Sequence, residues 1–140
     1  VKHKLKLYLI NLINTYMATL FKGFSTVDKN RAPYTLTDTD LIKRDLLNHF
    51  YTKKGERVMR PNFGSIIWDM LMEQDSPMLQ EEIKEDIQRI VDLDPRVELE
   101  NTILYINDQT IRAEVSVKYY NIDQADILYI EYNKRNTEEI

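Results

Sequence analysis

Cysteine is absent from this 140-residue chain, which therefore has no disulfide, no thiolate for zinc and no thiol nucleophile. Glycine is scarce, with three residues, too few and too scattered for a glycine-rich phosphate loop. The two histidines, His3 and His49, fall in different predicted elements. A Ser–His–acid triad would have to rest on His49, which the pattern puts on a helix among charges. No apolar run is long enough to cross a bilayer, and no membrane contact is expected. A net charge of -4 does not favour wholesale nucleic-acid binding, so no nucleic acid is expected as a partner. Neither cofactor nor metal is expected. The acidic groups Asp38, Asp40, Asp45 and Asn121, Asp123, Asp126 lack the glycine and terminal glutamate of a calcium loop, and capping and turn roles account for them. A glycosidase needs two carboxylates flanking the bond it cuts. The 23 acidic residues satisfy that in number, and no spacing singles out a pair.

What is present suits one domain with a real core: 43% hydrophobic residues, 30% charged residues and a mean hydropathy of -0.48. The charge is unevenly distributed. Lys2, Lys4 and Lys6 open the chain without an acid nearby, and Lys43, Arg44, Lys53, Lys54, Arg57 and Arg60 outweigh Asp45 and Glu56. Residues 73–100 are strongly acidic, with Lys84, Arg89 and Arg96 as their bases. Solvated helix faces account for this simply; electrical polarity suited to ordered packing in a larger assembly is the sharper reading. Residues 1–16 form a basic, helix-compatible extension. It is read either as lying upstream of a natural start at Met17 or as an amphipathic helix with Leu5, Leu9, Leu12 and Ile13 on one face.

The expected organisation is an N-terminal arm over 17–36, a single domain over 37–133 and a polar tail over 134–140. Residues 22–36 show no periodicity and read as a loop or arm. Thr37 and Asp40 fit a capping box, Leu36 and Leu41 a hydrophobic staple, and Leu41, Ile42, Leu46 and Phe50 the buried face of a first helix. Gly55 ends that unit. Ser65 is placed to cap a short helix from Ile66 to Met72, apolar nearly all round and assigned to the core, with Trp68 and the methionines as further contact residues. Ser76-Pro77 starts another helix, with Leu79, Ile83, Ile87, Ile90 and Val91 as its apolar stripe, Glu81, Glu82, Glu85 and Asp86 off it, and Pro95 as its stop. The last third reads as strands. Val97 to Ile106 lead to a turn at Asn107-Asp108; Ile111, Ala113, Val115, Val117 and Tyr119 then alternate with polar residues; a third strand runs from Ile127 to Tyr132 after a turn over 121–126. The fold class is thus α+β, with N-terminal helices on one face of a C-terminal antiparallel meander. Such a sheet leaves two edges, and the last strand is a candidate for strand addition to a partner.

Two blocks carry a family resemblance. Residues 55–72, GERVMRPNFGSIIWDMLM, and 87–99, IQRIVDLDPRVEL, occur in the order and spacing of the baseplate wedge family of contractile tails. The resemblance covers roughly residues 38–132. In the second block, Asp94-Pro95-Arg96 stands where the family has Glu-Pro-Arg. The resemblance implies a structural, non-enzymatic subunit of the virion tail baseplate, built like the core of the tail sheath subunit and assembled in the bacterial cytoplasm. Its implied partners are the larger helical wedge subunits, the first ring of the sheath and tube-proximal proteins, in a six-fold hetero-oligomeric baseplate. Arg96 is expected to donate bidentate bonds to the helical bundle of those subunits, Asp94 to orient it and Pro95 to fix the turn. Arg57, Pro61, Phe63, Gly64 and Ser65 are expected in structural roles: Gly64 in a tight turn, Phe63 plugging the core, Arg57 pairing locally. Members of the family are often labelled lysozyme, so a peptidoglycan-degrading enzyme using two carboxylates is the alternative.

Overall fold

The computed structural model describes residues 1–8, 21–27, 29–120 and 124–134. The chain divides into two units, Val1–Leu41 and Ile42–Ile140. In the first, residues 2–8 are helical. Leu9, Leu12, Ile13 and the start expected at Met17 lie outside the described residues. The segment expected to be irregular holds a strand pair instead: β1 (Lys22–Phe24) runs antiparallel to β2 (Thr35–Thr37), with Gly23 opposite Leu36. The Ser25 N–H donates to the Tyr34 carbonyl at 2.8 Å, and the rings of Phe24 and Tyr34 meet edge to face. Strands of three residues contain too few positions to display a period, which is why the sequence reads there as a loop. Thr37 ends β2 opposite Lys22, and helix α1 (Asp38–Tyr51) follows directly. The expected capping box is replaced by a different arrangement. Asp38 adopts φ 48°, and its carboxylate accepts the Phe21 N–H at 3.1 Å.

In the second unit, α1 contributes Ile42, Leu46 and Phe50 to the core. A short helix α2 (Ile67–Met70), a long helix α3 (Pro77–Asp92) and three strands follow: β3 (Val97–Asn107), β4 (Thr110–Tyr119) and β5 (Gln124–Asn133). The sheet is antiparallel in the order β3-β4-β5, so the α+β meander read from the sequence is the fold observed. Helix α3 starts as its residues dictate. The Ser76 hydroxyl accepts the Leu79 N–H at 3.1 Å, and Pro77 occupies the first turn, where its missing N–H costs nothing. Leu79, Ile83, Ile87, Ile90 and Val91 are all buried, each stabilising the fold by about 1.5–3 kcal/mol relative to exposure. Asp86 is not off this stripe. It is 4% exposed, because its spacing from Ile83 and Ile90 is that of the inward face.

The alternation of β4 survives intact, with Ile111, Ala113, Val115, Val117 and Tyr119 inside. Leu128, Ile130 and Tyr132 face the same core from β5. The Tyr132 hydroxyl donates to the Phe50 carbonyl at 2.8 Å, and the Trp68 ring meets Tyr132 edge-on at 4.9 Å, so one tyrosine joins α1, α2 and β5. The expected short helix shrinks to four residues. Ile67, Met70 and Leu71 are buried and Met72 is exposed. The hairpin turn is Asp108-Gln109, one residue later than expected, since Asn107 pairs with Thr110. Strand β5 begins at Gln124, within the expected turn, and ends at Asn133, one residue beyond the expected strand end at Tyr132. Residues 121–123 and 135–140 lie outside the described residues.

A bulge falls between Leu99 and Asn101, where the register against β4 shifts. Val97 faces the core before it; after it the inner positions are Thr102, Leu104 and Ile106. Ile103 and Tyr105 therefore lie on the outer face, with Ile127 and Tyr129 of β5.

Candidate functional site

Residues 52–66 return the chain from α1 to α2, and their geometry follows from two glycines and a serine. The Ser65 N–H donates to the Thr52 carbonyl at 2.8 Å and the Lys54 N–H to the Ser65 carbonyl at 3.2 Å, closing the base of the loop. Between these bonds lie consecutive turns, with Arg60 N–H donating to Arg57 O and Phe63 N–H to Arg60 O. Arg57, Arg60 and Phe63 thus recur at three-residue intervals. Gly55, at φ 89°, donates its N–H to the Pro61 carbonyl at 3.0 Å; Pro61 is itself exposed. Gly64, at φ 114°, lies so close to the chain at Thr52 and Lys53 that a Cβ would stand 2.7 Å from backbone atoms of both.

Helix α3 holds this loop. The Asp86 carboxylate accepts the Ser65 hydroxyl at 2.8 Å and the Ile66 N–H at 3.1 Å through one oxygen. Its other oxygen takes Arg89 Nε and Nη2 at 3.1 and 2.6 Å. Arg89 Nη2 also donates to the Gly64 carbonyl at 2.8 Å. The Ser65 hydroxyl in turn accepts the Ile67 N–H at 3.2 Å, so Ser65 supports the start of α2 as well as binding Asp86.

The loop presents Phe63 against His49 of α1, with ring centroids 3.9 Å apart and an interplanar angle of 19°. The Arg57 guanidinium carbon stands 4.0 Å from the centre of the same ring. Two groups so close to one centroid must occupy opposite faces, which makes His49, Phe63 and Arg57 a stack. Phe63 is therefore the half-buried wall of a pocket and not the core plug expected. The opposite wall is the end of α3. Pro95 stops the helix, and the Asp94 carboxylate accepts the Arg96 N–H at 3.0 Å. Arg96 Nε and Nη2 donate to the two oxygens of Asp94 at 2.8 and 2.6 Å, and Nη2 reaches Asp45 of α1 at 3.0 Å. The Arg96 fork is thus directed at two aspartates of its own chain. Burial raises the Asp94 pKa, but the hydrogen bonds and charge of Arg96 outweigh it and hold the carboxyl below its ordinary value.

These walls enclose a pocket of about 510 Å³. Arg57, Arg60 and Phe63 line one side and Leu93, Asp94, Pro95 and Arg96 the other, over Asp45, Leu46, His49 and Ile90. The two sequence blocks that carry the family resemblance meet here. Gly64 and Ser65 do not line the pocket; they fasten the loop that does. No sequence motif marks His49, Asp45, Arg60 or the Asp86–Arg89 pair as part of a pocket. The available signal was spacing: His49 lies three residues after Leu46, and Asp86 three after Ile83. Among the described residues no cluster of three or more histidines and acids is arranged to hold a metal, and no helix is long and apolar enough to cross a membrane.

Burial holds the His49 imidazole below its ordinary 6.5; the Arg89 charge acts the same way, Asp86 opposes it, and Arg57 and Arg60 add to the lowering. Its Nε2 is buried without a partner among the described residues. A base with a depressed folded pKa contributes stability that is fully present above the unfolded value of about 6.5 and lost as pH falls through the folded pKa. Urea midpoints should therefore drop on acidification from about pH 7.5 to 5 more steeply for wild type than for His49→Gln. Parallel pH profiles for the two proteins would remove His49 from the account.

Arginines, aromatic rings and aspartates bonded to Arg96 thus meet in one pocket. The family model for baseplate wedge protein gp25 matches residues 37–124, more than half of the chain, and the chain belongs to that family of structural baseplate proteins. No curated protein matches it in sequence. The solved structures that share the fold include two from tail-like assemblies or proteins. The anti-feeding prophage baseplate matches with TM-score 0.63 and 24% identity, over 75% of this chain and 90% of that one. A protein from Geobacter sulfurreducens, provisionally designated a tail lysozyme, matches with TM-score 0.59 and 21% identity, over 66% and 86%. At these identities the likeness is one of fold.

Proposed function

We propose that this protein is the wedge subunit that locks larger helical wedge proteins into a contractile-tail baseplate, using the pocket between residues 57–63 and 93–96. The observation that carries this reading is the meeting of the two family blocks in one pocket, although they are distant in sequence. Asp94, Pro95 and Arg96 serve as the preset wall on which the partner packs; Arg57 and Phe63 form the facing wall. The connection to the first sheath ring is assigned to the outer edge of β5, which has no neighbouring strand among the described residues. Six copies around the tube, assembled in the bacterial cytoplasm, complete the proposal.

A lysozyme role, suggested by the designation of one structural neighbour, is less well supported. A glycosidase acid needs a raised pKa, whereas Asp94 is held low and both pocket carboxylates are bonded to Arg96.

The test is co-purification with the helical wedge subunits encoded in the same genome. Wild type should be retained. Arg96→Ala should remain folded and bind at least about tenfold more weakly, because it leaves Asp45 and Asp94 facing each other across an unfilled wall. Failure of wild type to bind any wedge subunit would end this reading.

A further inference from the structure

We infer that the group this pocket captures on its partner is a carboxylate, gripped by Arg57 and Arg60 over the Phe63 ring. The inference rests on the assembly role proposed above and names the chemistry of its contact.

The pocket holds three arginines and two aspartates, and their pairing is uneven. Both aspartates are bonded to Arg96. A partner's acid seeking Arg96 would have to displace an internal ion pair. Arg57 and Arg60 have no carboxylate within ion-pair distance among the described residues, and both side chains are exposed. The Phe63 ring, 4.0 Å from the Arg57 guanidinium carbon, relieves part of that charge but offers its N–H groups no acceptor. The Arg60 guanidinium carbon is 5.8 Å from the same ring. Two guanidinium forks on successive turns thus surround one aromatic face with their donors unspent.

The site is also prepared for such a guest. Phe63 is held between His49 and Arg57, and Arg89 anchors the loop through the Gly64 carbonyl. Phe63 and the loop backbone therefore have little freedom left to lose on binding. Exposed Leu93 and Pro95 line the same pocket, so the guest is a carboxylate with an apolar neighbour, as on a protein helix. A nucleic-acid phosphate meets the arginines equally well, but the apolar lining and the net charge of -4 oppose a polyanion.

The experiment measures affinity of the full chain for the wedge subunits of its own genome, and separately for fluorescently labelled duplex DNA. Wild type is compared with Arg57→Glu/Arg60→Glu, Arg57→Lys/Arg60→Lys and Arg96→Ala, each checked by thermal melting. The glutamate pair should weaken wedge binding by at least about a hundredfold, and the lysine pair, which keeps the charge and loses the fork, by about tenfold. Wild-type binding should also weaken as salt rises. If the folded glutamate pair binds like wild type while Arg96→Ala does not, the pocket reading stands and the carboxylate assignment falls. DNA binding lost only in the glutamate pair, with wedge binding unchanged, overturns it in favour of phosphate. If wild type binds no wedge subunit, the assembly role fails and takes this assignment with it.

Discussion

Gly64→Ala is expected to destabilise the unit over 42–140 by about 3–5 kcal/mol, enough to leave much of it unfolded at ordinary temperature. Two costs combine. The backbone at φ 114° is outside the range that alanine adopts readily, and the new Cβ would stand 2.7 Å from the Thr52 oxygen and the Lys53 carbonyl carbon. Neither can retreat cheaply, because Thr52 O accepts the Ser65 N–H and the Lys54 N–H is bonded to Ser65 O. Gly55→Ala is the matched control. It also sits at positive φ, 89°, but a Cβ there meets nothing within 4 Å, so it should cost only about 1–2 kcal/mol. Urea unfolding of the two variants compares strain plus collision with strain alone. Equal midpoints would show that the close approach at Gly64 is not a constraint.

Asp86→Ala should cost about 2–4 kcal/mol. One carboxylate, its side chain 1% exposed, receives Ser65, the Ile66 N–H and Arg89. Its removal strands the buried donors, while Arg89, whose side chain is 35% exposed, recovers some hydration, which places the estimate below that for a fully buried ion pair. Asp86→Asn keeps one acceptor and should lie between. The loss should extend to function, because the same network fastens the loop that carries Arg57, Arg60 and Phe63. A denaturation midpoint unchanged in Asp86→Ala would mean the network is held by other contacts.

Much of this fold was legible, and the reasons are specific. Helix α3 announced itself because Ser76, Pro77 and its aliphatic stripe agree at three levels: cap, first turn and buried face. Strand β4 was legible because one face is buried and the other wet, so its alternation is strict. Strands β1 and β2 were not, since three residues reveal no period. Asn-Asp is better turn chemistry than Asp-Gln, yet the turn falls one position later, because the apolar faces of β3 and β4 decide the register. Phe63 looked like core because it is large and apolar; the arginine over its ring and the histidine beneath it let it stand at a surface. Asp86 misleads for the opposite reason, its charge outweighing a spacing that points inward. The pocket itself was legible only as two separate blocks. Nothing in a linear pattern says that Arg89 will hold the Gly64 carbonyl and so bring one block beside the other.

The extra residue at the start of β3 reaches further than its own position. Parity along a strand decides which side chains meet the core, and β3 changes parity once, between Leu99 and Asn101. Up to that point odd-numbered residues serve the interior; beyond it, even-numbered ones do. Ile103 and Tyr105 owe their outward position to that single change of phase, as Thr102 and Leu104 owe theirs inward. The exposure of Ile103 and Tyr105 on the outer face is therefore a property of chain length over 97–101 as much as of composition. In this strand a gain or loss of one residue near Glu100 is a change of surface for everything that follows to Asn107.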